Sequence, residues 1–170
     1  MTSCLDAPAT VTSELYRSVF RRYAAGVVVI TADAGAGPVG FTATSLASIS
    51  LSPPLVSFAL STSASSWPTI SATGSVVINF LDAGQHELAD RFATSGINRF
   101  AAPTRWSRLA SGEPILDDAA GLLCGRIEHR YPVGDHHLVV ARVTAGASRH
   151  HTPLVYHAGA YSTVSQLQSA

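Results

Sequence analysis

The sequence predicts a mainly β fold: an antiparallel barrel, closed or nearly closed, with a few helices outside it. Strand-like runs outnumber helix-like ones, and most follow one another with no helix between, unlike the βαβα alternation of a doubly wound sheet. The 170 residues carry no repeat and no linker, so they fit one domain able to bury its own core. We expect that domain at 12–165, with short tails at 1–11 and 166–170.

Residues 12–24 place Leu15, Val19, Phe20 and Tyr23 at helical spacing behind Thr12 or Ser13 as N-cap. Gly26 ends that pattern, and VVVITAD at 27–33 is a β-branched run of the kind found in buried strands. GAGP at 35–38 is a turn, and the alternating small and apolar residues from Val39 to Ser52 predict strands that Pro53-Pro54 stops. LVSFAL at 55–60 is another strand. A short helix follows, with Ser66 as N-cap, Pro68 in its first turn and Gly74 as its stop. SVVINFL at 75–81 predicts a strand and HELADRFA at 86–93 a helix, while 94–116 reads as a loop rich in Pro, Gly and Ser. Two hairpins close the chain: 121–133 with 136–146 around Gly134-Asp135, and LVYH with AYSTV around Ala158-Gly159.

Composition narrows the function. Eleven acidic and 11 basic residues cancel, and every basic residue is arginine, with no basic block. A nucleic-acid groove or a membrane-surface patch is therefore not expected. No run reaches the roughly 18 to 20 apolar residues of a membrane span, and no secretory signal opens the chain. Cys4 in the tail and Cys124 in an apolar run make no disulfide framework, so a reduced, cytoplasmic protein is expected. Charged residues make up 13% of the chain, against roughly 25% in an average soluble domain. A subunit partner, a large planar ligand, or a surface of Ser, Thr and Gly would account for the shortfall.

Gly35, Gly37 and Gly40 spell G-x-G-x-x-G after a strand, the text of a dinucleotide-binding loop. Pro38 inside the loop, the poor helix formers after it and Pro53-Pro54 leave no helix for a pyrophosphate, so a hairpin turn is expected. The run Gly40-Phe41-Thr42-Ala43-Thr44-Ser45 admits two readings. It is a surface that a flat ring can approach, with N–H groups for the ring edge and hydroxyls for a phosphate, or it is an edge strand with a solvated Thr/Ser face. Ser61, Thr62, Ser63, Ser65 and Ser66 precede a helix start and read either as an anion seat or as ordinary capping. Arg99, in a polar loop, is a better phosphate ligand candidate than Arg91, which reads as a solvated helix face. His136 and His137 are neighbours on a strand and point to opposite faces. Neither they nor His86, His129, His150, His151 and His157 show metalloenzyme spacing, and no metal is expected. No nucleophile elbow or triad signature is present.

Taken in order, several pieces resemble the flavin reductase components of two-component flavin-dependent monooxygenases, and especially the small actinorhodin-type NADH:flavin oxidoreductases. They are Phe20–Gly26 leading into VVVITA, Pro38–Ser45, Ser50–Val56, Asn79, Leu88–Phe92, Arg99-Phe100-Ala101, Arg130-Tyr131-Pro132-Val133-Gly134-Asp135-His136 and Leu154–His157. The resemblance runs over about residues 15–164. It implies a split β-barrel of antiparallel Greek-key type with peripheral helices, in a homodimer whose flavin sites lie near the subunit interface. It implies FMN or FAD along Gly40, Phe41, Thr42, Ala43, Thr44 and Ser45, with the phosphate near Ser61, Ser63, Ser65 and Ser66. Further contact falls around Asn79, Phe80, Arg99, Phe100 and Tyr156. It puts His136 where the nicotinamide of NADH, or NADPH, docks, and implies a separate monooxygenase that receives the reduced flavin. The chain departs from the family's habits with Thr44 where Ser is common, Arg142 where Gly is frequent, and His137 where an apolar or β-branched residue is usual. A barrel of this type that holds FMN permanently as an oxidase or oxygenase, and a flavin-binding module without catalysis, are the alternatives.

Overall fold

The computed structural model describes residues 10–165. Cys4 and most of the N-terminal tail, like the C-terminal tail, lie outside them. The fold is mainly β, with antiparallel sheets and a few helices. Helix α1 (Ser13–Arg21) opens on the expected cap, since the Thr12 hydroxyl accepts from Leu15 N–H at 3.1 Å. It ends two to three residues earlier than the apolar spacing suggests, and none of its residues is buried.

The strands that follow are β1 (Ala25–Gly26), β2 (Val28–Asp33), β3 (Pro38–Ala43), β4 (Ala47–Leu51) and β5 (Pro54–Ser61). After helix α2 (Trp67–Ala72) come β6 (Ser75–Phe80), a short 3₁₀ turn (Ala83–Gln85) and helix α3 (His86–Ala93). The rest is strand: β7 (Trp106–Arg108), β8 (Pro114–Leu116), β9 (Gly121–Val133), β10 (His136–Ser148), β11 (Leu154–His157) and β12 (Ala160–Thr163). Seven of these pair antiparallel in the order β3-β2-β6-β9-β10-β5-β4, beside a three-stranded sheet β1-β11-β12 and the ribbon β7-β8.

The unbroken apolar run of β2 is explained by what covers it. Val28 and Ile30 face one cluster with Phe41, Phe58, Ile70, Ile78 and Val139, while Val27 and Val29 face a second with Leu81, Ala89, Phe92, Phe100, Leu116 and Leu154. A strand buried on both faces loses the polar alternation of a half-exposed one. The G-x-G-x-x-G text is the β2–β3 turn. Gly35 and Gly37 take φ of 95° and 112°, their N–H groups donate to Asp33 Oδ1, and a strand follows where a dinucleotide loop would open a helix.

Two expectations are corrected. The loop predicted over 94–116 contains β7 and β8, whose three-residue length is too short for periodicity to register. They are fixed from outside, by Trp106 Nε1–H donating to the Phe100 carbonyl and by Arg108 paired to Asp33 at 2.7 Å. Strand β4 alternates in sequence but not in burial: Ile49 and Leu51 stand outward, Leu51 at 91% exposure, past an irregularity in register between Ser48 and Ser50.

One carboxylate near the ribbon gives a pH prediction. Hydrogen bonds from Ser111 and Ser75 hold the Glu113 carboxyl below the usual carboxylate range, against the opposing effect of burial. A depressed carboxylate contributes stability above its ordinary pKa and loses it as pH falls through the depressed value. Glu113→Gln is therefore expected to melt below the wild type at neutral pH, with the gap closing on acidification. Melting curves from neutral to acid pH read this directly, and a gap that widens in acid contradicts it.

Candidate functional site

Side chains of the Gly40–Ser45 run are mostly committed to the protein. Gly40 is buried because α3 leaves no room for a side chain: a Cβ there would stand 2.6 Å from Phe92 Cε1 and 3.1 Å from Thr31 Cγ2. Its missing side chain thus serves helix packing. Phe41 and Ala43 lie in the first core cluster, and the Thr42 hydroxyl donates to the Ala89 carbonyl at 2.6 Å. Ser45 Oγ bridges to β5, accepting from Ala59 N–H at 2.9 Å and donating to the Ala59 carbonyl at 3.2 Å.

What remains open is the backbone where the chain leaves the sheet. Among the described residues, the N–H groups of Thr44, Ser45 and Leu46 have no carbonyl partner, and the exposed Thr44 hydroxyl has none either. Thr44 and Ser45 line a groove of about 460 Å³ whose other walls are Tyr156, the α1 side chains Tyr16, Arg17 and Phe20, and Tyr23 just beyond the helix. Tyr156 stands edge-on to Tyr161, whose phenol burial pushes up to about 12, helped by Asp90, so that ring stays neutral.

Around α1 this groove adjoins a second recess of about 550 Å³, because Tyr16 and Arg17 border both. Asp135 and His136 line the second recess. His136 Nδ1 lies 2.7 Å from Asp135 Oδ1, and this hydrogen bond holds the Asp135 carboxyl below its usual range. With an ionised acceptor on Nδ1, the proton sits there and Nε2 is the nitrogen left for a ligand. The two-residue turn that creates this geometry has Gly134 at φ 60° and pairs His136 with Val133, as the hairpin text predicts.

A third recess, of about 230 Å³, lies on the other side of β3 and brings together Gly40, Ser65, Ser66, Arg99 and Phe100. Ser66 begins α2 but caps nothing; its hydroxyl donates to the Gly40 carbonyl and accepts from Arg99 Nη1. Arg99 is half-buried, and burial lowers its pKa from the usual guanidinium range. Nη1 donates to the Gly40 carbonyl at 2.8 Å and Nε to the Thr94 carbonyl at 3.0 Å, which aims the fork into the recess. Arg91 proves to be neither ligand nor solvated face. It donates to the carbonyls of Asn98, Arg99, Ala101 and Ala102 and so fixes the loop that carries Arg99.

Asn79, Phe80, Ser61 and Ser63 line none of these openings. Asn79 is fully buried, its amide donating to Val29 and Thr31 and its carbonyl oxygen accepting from Leu116 N–H at 3.0 Å. It ties β8 to the sheet, its amide engaged with the protein itself. Phe80 packs on the first core cluster. Ser61 and Ser63 bond each other at 3.0 Å, and Ser65 is exposed. Arg130, part of the most specific motif, caps α2 by donating to the Ile70 and Thr73 carbonyls. The sequence reasoning missed Asp135 as the partner of His136, and Tyr16 and Arg17 as walls. Only adjacency in the text hinted at the first, and nothing in the sequence marked the others.

The model of the flavin reductase like domain matches residues 20–165, and the chain belongs to that family. The NADH:FMN oxidoreductase of Rhodococcus erythropolis is 44% identical over 151 residues, 86% of this chain and 79% of that protein. Among solved structures, a flavin reductase domain protein from Arthrobacter sp. FB24 superposes with a TM-score of 0.88 at 41% identity, over 93% of this chain and 99% of its own. A homologue of nitrilotriacetate monooxygenase component B from Mycobacterium thermoresistibile gives 0.83 at 28% identity, over 94% and 93%.

Proposed function

We propose that the chain is an NAD(P)H-dependent flavin reductase that works on FMN, or FAD, in the groove between Thr44–Leu46 and α1 and hands reduced flavin to a separate monooxygenase. The observation that carries this reading is the pair of unpartnered backbone N–H groups of Thr44 and Ser45 at a groove walled by Tyr16, Phe20, Tyr23 and Tyr156. Such donors suit the carbonyl and nitrogen edge of an isoalloxazine, and the aromatic side chains suit its faces. When both rings are bound, a hydride passes from nicotinamide C4 to flavin N5, chemistry that belongs to the cofactors.

The chain's own residues bind, orient and keep water out. Arg99, Ser65 and Ser66 offer a guanidinium and hydroxyls to a phosphate, which explains how a lysine-free chain of zero net charge can take an anionic ligand. His136 presents Nε2 to the nicotinamide as a hydrogen-bonding and charge-stabilising group, held by Asp135. Through Arg99, Arg91 also matters: Arg91→Met is expected to raise the flavin KM severalfold and leave the KM for NADH in place. An unchanged flavin KM would refute that link.

The family resemblance supports NADH and FMN as the pair, and the name of the Rhodococcus relative supports the same choice. The likeness to a monooxygenase component B supports the partner class. The domain is read as 12–165, acting in the cytoplasm; among the described residues no helix is long and apolar enough to cross a membrane. A split barrel is supported by the short link, residues 44–46, between β3 and β4, the two edge strands of the seven-stranded sheet. A homodimer is supported by the outward apolar residues of α1 (Leu15, Tyr16, Val19, Phe20, Tyr23) and of β4. These faces would also account for the low share of charge.

The test is oxidation of NADH and NADPH by dialysed protein, with and without FMN, FAD and riboflavin, beside its mass by light scattering. The expected protein is nearly colourless, dimeric and active only with added flavin. A yellow protein stable to dialysis would favour the bound-flavin oxidase, and flavin binding without NADH oxidation the non-catalytic module.

A further inference from the structure

The hairpin that presents His136 and the loop of hydroxyls at 61–66 are joined at both ends of the loop. At its start, β5 and β10 pair Ser61 with His136 and Leu60 with His137, so the loop leaves the sheet where β10 begins. Thr62 then places both its N–H and its hydroxyl on the Asp135 carbonyl, at 3.0 and 3.1 Å. At the loop's far end, Trp67 opens α2 and lies flat on the His137 ring, with centroids 3.7 Å apart and planes 7° from parallel. Trp67 also packs against the first core cluster, so the stack is anchored to the body of the domain.

Successive strand residues point to opposite faces. One backbone segment therefore aims His136 at the recess beside α1 and His137 at Trp67. A six-residue loop clamped at both ends on this segment has few conformations left.

We propose that His137 is a positioning residue. Stacked on Trp67, and together with Thr62, it holds the 61–66 loop and the His136 hairpin at one fixed separation, so that the phosphate-side hydroxyls and the nicotinamide-facing imidazole stay in register. The proposal rests on the functional reading given above. A flat ring at this position is what meets the indole face.

The experiment compares wild type, His137→Ala, His137→Phe and Thr62→Val, varying NADH at saturating FMN and FMN at saturating NADH, beside thermal unfolding. His137→Ala is expected to raise both KM values by roughly threefold to tenfold with a smaller fall in kcat. Thr62→Val is expected to raise the KM for NADH by roughly twofold to fivefold. His137→Phe, which keeps a flat ring on the indole, is expected to restore both KM values. A mere packing role would lower Tm and leave the KM values in place, and that result overturns the proposal. So does a His137→Phe variant as impaired as His137→Ala. Should His137→Ala fail to fold, Thr62→Val decides: no change in its KM for NADH overturns the proposal. A wild type that oxidises no NADH with any flavin sinks the functional reading and this proposal together, whereas an active wild type with unmoved variants sinks this proposal alone.

Discussion

Replacing His136 with alanine is expected to lower kcat/KM for NADH by roughly tenfold to a hundredfold, the scale of one lost charge-assisted hydrogen bond near the reacting ring. The structure gives the imidazole one nitrogen already taken by Asp135, at 2.7 Å, and one facing the recess beside α1. On the proposed role, orienting the nicotinamide and stabilising charge, the loss is expected at limiting NADH, and the KM for FMN should hardly move. Asp135→Asn leaves the imidazole in place but removes the ionised acceptor that fixes its tautomer, and a smaller loss of the same kind is expected. Full activity of His136→Ala at limiting NADH would exclude the role.

Gly40→Ala is expected to destabilise the protein by about 1–3 kcal/mol, the usual cost of forcing extra atoms into a packed core. The added Cβ meets Phe92 at 2.6 and 2.9 Å, and Phe92 is fully buried between α3 and the sheet, with Phe100 edge-on at 5.2 Å. Its ring cannot swing clear without disturbing the second core cluster. Phe92→Leu in the same chain should return part of the loss, a coupling that neighbours in contact show and distant sites do not. Denaturant melts of the two single variants and the double variant measure it. If Gly40→Ala kept its stability and lost only flavin affinity, close approach of a ligand would explain this glycine better than Phe92 does.

The two sets of outcomes separate what the motif residues do. Gly40, Phe41, Thr42, Ala43 and Ser45 were all legible in the sequence as a functional run, yet their side chains pack, cap or bridge. Thr44 and the backbone N–H groups of 44–46 carry the open chemistry, and backbone donors leave no trace in residue identity. Asn79 is a related case. A polar residue inside an apolar strand reads as a ligand contact, but here its amide satisfies backbone groups that β8 could not pair otherwise. Arg91 and Arg130 stand in recognisable motifs, but the sequence did not show their structural partners; both spend their donors on carbonyls of loops and helix ends.

By itself the sequence determined the mainly β class, the long β9–β10 hairpin with its Gly134-Asp135 turn, the turn behind the G-x-G-x-x-G text, and His136 as the residue to watch. Each follows from local physics: β-branched runs, glycine at positive φ, and the alternation of faces along a strand. Only the tertiary structure decided which hydroxyls stay free, which arginine aims into a recess, and that α1 walls the groove from more than 20 residues upstream of Thr44. Those outcomes depend on pairings between distant segments, such as Arg99 with Gly40 and Trp67 with His137. No spacing along a single chain can encode such contacts, because they form only when β2 brings its neighbours together around two cores.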